Sequence, residues 1–204
     1  MGLDMYLNRY PKSMTAEERN KKSEDLWNEG IEAWREKWKN KVSVAYWRKV
    51  NFLHGWIVNN LADGVDECQE IEVSLDDITE ILDLCEKSIA VLEEHDLVPQ
   101  RQIDKSKWKY EWEPEFEVDP DKPRVKIKWD DGEIKGLDDS TYYKVDTNAN
   151  GELDEFLPPT SGFFFGSYFY DTWYVYDMYR LRDTLQSIIH NWDDGFQYIY
   201  QASW

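Results

Sequence analysis

A chain of 204 residues with a formal net charge of −18, 16% aromatic residues and 11 tryptophans is long enough for one sizeable core, and its field repels phosphate backbones. No run approaches the roughly 18 consecutive apolar residues of a membrane helix, and the first residues carry neither a basic nor an apolar leader region. Direct nucleic-acid binding and membrane insertion are therefore disfavoured, and a soluble, unprocessed, cytoplasmic protein is expected.

The charge is unevenly laid out. Residues 1–62 hold 11 Lys/Arg against 8 Asp/Glu, a net +3, whereas residues 63–103 hold 2 against 13, a net −11. Residues 104–157 carry −7 and residues 158–204 carry −3. Such a field attracts a basic partner surface, and it also keeps an aromatic-rich chain soluble. The aromatic residues themselves serve either as core filling or as interface anchors.

In chain order, MGLDMYL alternates Leu3, Met5 and Leu7 with polar neighbours, which predicts a short strand. Thr15 with Glu18 forms a capping-box pattern that starts a first helix, whose stripe is Trp27, Ile31, Trp34 and Trp38. Ser43 is read as the cap of a second helix reaching about Leu61, with Tyr46, Val50, Leu53, Ile57 and Leu61 on one face and Gly64 as its stop. Ser74 with Asp77 caps a third helix, which buries Ile78, Ile81, Leu82, Cys85, Ile89 and Leu92 and leaves Asp76, Asp77, Glu80, Asp83 and Glu86 on the outside. Cys68 and Cys85 lack CxxC spacing, and Cys85 reads as a small buried thiol in a reducing compartment.

The period then changes from helix to strand. Trp108, Tyr110, Trp112, Phe116 and Val118 alternate with Lys109 and the acids Glu111, Glu113, Glu115 and Glu117. After the turn DPDKP, Val125, Ile127 and Trp129 alternate with Arg124, Lys126 and Lys128. Antiparallel pairing sets acid against base on one face and aromatic against β-branched side chains on the other. With TYYKV as a third strand, residues 104–157 read as an acidic β-meander insert in a helical core formed by 1–103 and 158–204.

Within this insert, Asp146, Asn148 and Asn150 with Gly151 match the first half of a calcium loop, and Glu152 and Asp154 are further oxygen donors. Leu157 stands where the loop requires a bidentate acid, and an ion-free polar turn has the same residues. Calcium or a similar hard cation is the expectation that the half-match carries. The histidines lack zinc-ligand spacing.

The segment TSGFFFGSYFYDTWYVYD at 160–177 suits a buried strand, a pocket wall or a partner surface. Asp171 reads as the N-cap of a last helix with Tyr174, Met178, Leu181, Leu185, Ile188 and Trp192 on its buried stripe, and FQYIYQ alternates as a final strand. The fold class is therefore α+β: about four helices packed with short N- and C-terminal strands, plus the inserted meander.

Together MGLDMYL, AYWRKVNFLHGWIVNN and SGFFFGS followed by YDTWY resemble a group of small uncharacterised proteins encoded by bacteriophages and prophages. The resemblance covers roughly the first 95 residues and 158–192; the acidic insert falls outside it. It implies a phage accessory protein in the bacterial host cytoplasm, directed against host defences, and carries no chemistry with it.

Two functions follow. The preferred one is a non-enzymatic inhibitor that engages a basic surface of a host protein, such as a nucleic-acid-handling defence enzyme, through Asp76, Asp77, Glu80, Asp83 and Glu86 or through Glu111, Glu113, Glu115 and Glu117. The alternative is a small-molecule or catalytic pocket where Arg48, Asn51 and His54 on the second helix meet Ser161, Phe164, Ser167 and Asp171, with His54 as base or donor. The same Asn and His also suit buried hydrogen bonds that fix the helix to the loop. No nucleophile elbow or phosphate-binding motif accompanies them.

Overall fold

The computed structural model describes residues 2–21, 25, 28–95, 110–112, 125–127, 150–162, 165–166, 168–170 and 172–204. Its main sheet is built from β1 (Asp4–Pro11), β2 (Val42–Arg48), β3 (Ile71–Val73) and β6 (Phe196–Ser203), in the order β2-β1-β6-β3 with every neighbour antiparallel. A separate antiparallel pair joins β4 (Tyr110–Trp112) to β5 (Val125–Ile127). The helices are α1 (Ala16–Asn20), α2 (Ile31–Asn40), α3 (Asn51–Leu61), α4 (Leu75–Glu94), α5 (Asn150–Leu153) and α6 (Thr172–His190). The molecule is thus mixed α and β, as the periodicities predict.

Alternation decides which sheet face is buried. Met5 sits opposite Trp47 and Ala202, and Leu7 opposite Ala45 and Tyr200, so all six share one inward face with Leu3. That face forms one core with Phe52, Leu53 and Ile57 of α3, with Ile78, Ile81, Cys85, Ile89 and Leu92 of α4, and with Tyr174, Met178, Leu181, Leu185 and Ile188 of α6. Each apolar side chain fully buried this way contributes about 1.5–3 kcal/mol. Leu82 and Trp192, predicted on the same stripes, are only partly buried, and Trp192 stacks on Tyr198 at 3.8 Å between centroids.

Both predicted capping boxes are present. Ser74 and Asp77 exchange bonds at the start of α4, and Thr15 and Glu18 do so at α1. From α1, Arg19 reaches the sheet: its Nε donates to Glu70 at 3.0 Å, Nη1 donates to Gln197 at 2.7 Å, and the guanidinium lies 5.8 Å from the Tyr10 ring centroid. Burial, with Glu70 adding to it, pushes the Tyr10 hydroxyl up to about 12.

Three sequence expectations are corrected. The first helix is not continuous through its tryptophan stripe: Gly30, at φ +113°, separates α2 from the residues before it, and Ile31 is exposed rather than buried. The predicted helix from Ser43 to Leu61 is half strand, because 42–48 pair with β1 and only 51–61 are helical. Its spacing of apolar residues fits both periods, and Lys49, in a left-handed conformation at φ +61°, reverses the chain between them. Tyr46 consequently lies on the outer sheet face beside Tyr6, half exposed, with its hydroxyl donating to Asp4. The third correction concerns residues predicted as a polar turn between strands: 150–153 form α5, and Leu153 and Leu157 are fully buried in the main core. Leu157 occupies the position of the calcium loop's bidentate acid because it is a core residue. Asp146 and Asn148 lie outside the described residues.

The antiparallel pairing expected of this hairpin is present over its described residues. Glu111 stands opposite Lys126, Tyr110 opposite Ile127 and Trp112 opposite Val125.

Candidate functional site

Two places in the fold gather the residues singled out by the sequence. The first is where α3 meets the loop before α6. Asn51, buried in the first turn of α3, donates through Nδ2 to the Phe165 carbonyl at 3.3 Å, and its Oδ1 accepts from the Thr160 amide at 3.3 Å. One turn on, His54 is 1% exposed. Its Nε2 lies 3.0 Å from Asp66 Oδ2 and its Nδ1 2.7 Å from the Tyr200 hydroxyl. With Nε2 donating to the carboxylate, Nδ1 is left to accept from Tyr200. Phe165 meets the imidazole edge-on at 4.9 Å, and Asp66 Oδ1 also accepts from Trp204 Nε1 at 3.2 Å.

The packing explains two glycines of this region. A Cβ on Gly55 of α3 would lie 1.9 Å from Thr160 Oγ1, and one on Gly162 would lie 2.2 Å from the Phe165 ring. Gly55 lets the helix approach the loop this closely, and Gly162 lets the loop fold against its own Phe165 ring.

Burial holds Tyr200 in this cluster, and Cys85 on α4 where it packs on α6, in their neutral forms. Burial, then the Asp66 charge, raises the Tyr200 hydroxyl well above the ordinary phenol range. Burial does the same to the Cys85 thiol, whose Sγ donates to the Met178 carbonyl at 3.2 Å. A thiol kept protonated in this way is a packing group rather than a nucleophile. Both ring nitrogens of His54 and both ends of the Asn51 amide face partners inside the chain.

Arg48 is not part of this cluster. It belongs to β2, is 58% exposed at its side chain, and faces Asp4 at 3.9 Å on the sheet's outer side. Ser161 is exposed. Phe164, Ser167 and Asp171 lie outside the described residues.

The second place is the outer face of α4. Asp76, Glu80, Asp83 and Glu86 are exposed on the side opposite the apolar stripe. Asp77 is taken up by the cap, accepting from the Ser74 amide at 2.7 Å and hydroxyl at 2.6 Å. Asp83 pairs with Lys87 at 2.6 Å, and Glu86 accepts from Gln186 of α6 at 3.3 Å. Glu111 is described only through its backbone register, and Glu113, Glu115 and Glu117 lie outside the described residues.

Of the cation-loop residues, Glu152 and Asp154 are exposed on or just beyond α5, and the Asp154 carboxylate accepts from the Tyr170 hydroxyl. Among the described residues no group of three or more His, Cys, Asp and Glu is arranged to hold a metal ion. Among them, too, no helix is long and apolar enough to cross a membrane.

Sequence reasoning did not find Asp66 and Tyr200, which lie 12 and 146 positions from His54 and reach it only through the fold. It placed Tyr174 on the buried stripe of the last helix but did not sort Tyr168, Phe169, Tyr170 and Trp173 by exposure. Phe165, Tyr170 and Tyr174 are buried, while Tyr168, Phe169 and Trp173 are 49%, 53% and 61% exposed. No protein-family model, curated protein or solved structure matches the chain at a significant level.

Proposed function

We propose that this chain is a phage accessory protein that acts by binding: a non-enzymatic inhibitor of a host protein that has a basic surface, in the nucleic-acid-handling, defence-related class. The observation that carries the reading is the two-faced build of α4. One stripe is locked in the core, and the other presents Asp76, Glu80, Asp83 and Glu86 to solvent on a helix whose sequence has seven acids and one lysine. A rigid acidic row of this kind steers a cationic surface into contact and competes for it with nucleic acid. The internal engagement of Asn51 and His54 favours binding over catalysis. The strand pair β4–β5 fits the first hairpin of an acidic insert over 104–157, whose sequence carries Glu111, Glu113, Glu115 and Glu117 as further acids for the same partner.

Immobilised protein in a bacterial lysate tests this. Basic, nucleic-acid-handling proteins are expected on it at low salt, displaced as salt is raised, and absent from the variant Asp76→Asn/Glu80→Gln/Asp83→Asn/Glu86→Gln. A captured protein's nucleic-acid activity is expected to fall on adding the wild type and to be unaffected by the variant. Equal capture and equal inhibition by both proteins would overturn the reading.

A further inference from the structure

The inward face of the sheet carries one charge that its core does not explain. Leu3, Met5 and Leu7 of β1 are followed on that face by Arg9, which stands opposite Val42 of β2 and Tyr198 of β6 and is only 8% exposed. Its guanidinium lies over the Phe196 ring, 4.5 Å from the centroid. Among the described residues Arg9 Nε has no hydrogen-bond partner, and no Asp or Glu forms an ion pair with the group. Arg19 makes the contrast within the same molecule: 9% exposed at its side chain, it has Glu70 and Gln197 as acceptors. The acids nearest Phe196 in the chain turn to their own loop instead. Asp193 Oδ1 accepts from the Gly195 amide at 2.9 Å, and Asp194 Oδ1 accepts from Trp192 Nε1 at 3.1 Å.

Arginine does not shed its proton on burial, and a charge taken out of water without a counter-ion destabilises the fold. The ring contact is attractive, but it offers no lone pair to the N–H donors. Those donors form a planar fork that matches two oxygens of a carboxylate or a phosphate. Charge and access narrow the choice between them. The chain carries −18, a field that repels a phosphate dianion more strongly than a singly charged carboxylate. Arg9 stands close to the end of the β1–β6 ladder, where Pro11 pairs with Phe196 and both are half-buried, so the group that reaches it is small. Lys12, exposed just past that end, adds a positive charge there, and its amide is fixed by a bond to the Gly195 carbonyl at 3.2 Å.

We propose that Arg9 is the base of a carboxylate-binding site at the Pro11 and Phe196 end of the sheet, with the guanidinium donating to the carboxylate oxygens, Phe196 against its face and Lys12 as a neighbouring positive charge. The ligand is a small free carboxylate or the carboxylate at the end of a peptide chain, which present the same chemistry to Arg9. This site goes beyond the reading that the chain binds a basic partner and does not depend on it.

The test follows urea unfolding of the full chain in sodium acetate, with sodium chloride and sodium phosphate of equal ionic strength as controls, for the wild type and for Arg9→Met. N-acetyl-triglycine and its C-terminal amide are added in parallel. A ligand that binds only the folded chain raises the unfolding midpoint, so acetate is expected to shift the wild type upward relative to chloride and to leave Arg9→Met level. Without acetate, Arg9→Met is expected to be at least as stable as the wild type, because an apolar side chain replaces a charge that has no counter-ion. A wild-type midpoint unmoved by acetate and by acetyl-triglycine, or an equal shift in Arg9→Met, overturns the proposal. A phosphate effect equal to that of acetate overturns the carboxylate assignment. Acetyl-triglycine binding about tenfold more tightly than acetate, with its amide inert, assigns the site to a peptide end, and equal or weaker binding assigns it to a small free carboxylate. Should Arg9→Met fail to fold, the Arg9 Nε–H resonance of the wild type, assigned through its own backbone, decides: it moves with acetate and not with chloride, or the proposal falls.

Discussion

Two polar regions of this molecule use similar residues in opposite ways. Around α3, His54 faces Asp66 and Tyr200 beneath Phe165, and Asn51 bonds the Phe165 carbonyl and the Thr160 amide. Along α4 and at the start of α6, carboxylates and large rings face water. An imidazole with both nitrogens occupied joins two parts of the chain. The acids of α4 and the outward rings before and within α6 instead lie at the surface. The difference teaches that a histidine beside an aromatic loop is informative only once the far ends of its hydrogen bonds are known.

The inward half of the comparison is broken most severely at Tyr174. This side chain is buried against Phe52 and Tyr170 and donates to the Leu157 carbonyl. Tyr174→Ala should lower stability by about 3–5 kcal/mol, the range for truncating a large buried ring, and urea unfolding would show it as a lower midpoint. His54→Ala comes next. It strips a partner from Asp66 and from Tyr200, each left wholly or partly buried, at about 1–3 kcal/mol apiece. If His54→Ala instead unfolds with the wild-type midpoint, the network is not a structural joint and a site there regains its case.

The long periodic elements were legible because their period is carried by many residues. The α4 stripe from Ile78 to Leu92, the α6 stripe from Tyr174 to Ile188, and the alternation of Leu3, Met5 and Leu7 all lie on the faces that the spacing implies. The break between β2 and α3 was not legible. Lys49 turns the chain at a positive φ without the glycine or asparagine that usually marks such a turn, and Tyr46 and Val50 happen to be four apart. The pairing of Asn51 with the SGFFFG loop was visible as shared polarity, and the structure joins them at Phe165 and Thr160. Asp66, Tyr200 and Trp204 were invisible as partners because sequence separation, not residue type, hides them. Exposure of Phe169 and Trp173 was hidden for another reason: inward and outward rings are interleaved within a few positions, and no polar residue marks the outward ones.

A smaller effect sharpens the boundary between the two regions at the cap of α4. Ser74 lies at the edge of the acidic face, and Ser74→Ala removes the acceptor of the Asp77 amide. About 1 kcal/mol is expected, measurable as a modest shift in the urea midpoint with unchanged slope. Asp77 keeps its bond from the residue-74 amide and loses only the one from the hydroxyl, so the core stays intact.

The smallest effect is expected right beside the largest. Trp173 adjoins Tyr174 in sequence, yet it is 61% exposed, and among the described residues its ring meets Tyr176 edge-on at 6.4 Å. Trp173→Ala should therefore change stability by no more than about 0.5 kcal/mol, as exposed substitutions away from caps and cores do. Comparing the urea midpoints of Trp173→Ala and Tyr174→Ala puts the inward–outward division to its narrowest test. A loss at Trp173 approaching that at Tyr174 would mean that the indole is held by the protein itself, and the inward–outward division within α6 would fall.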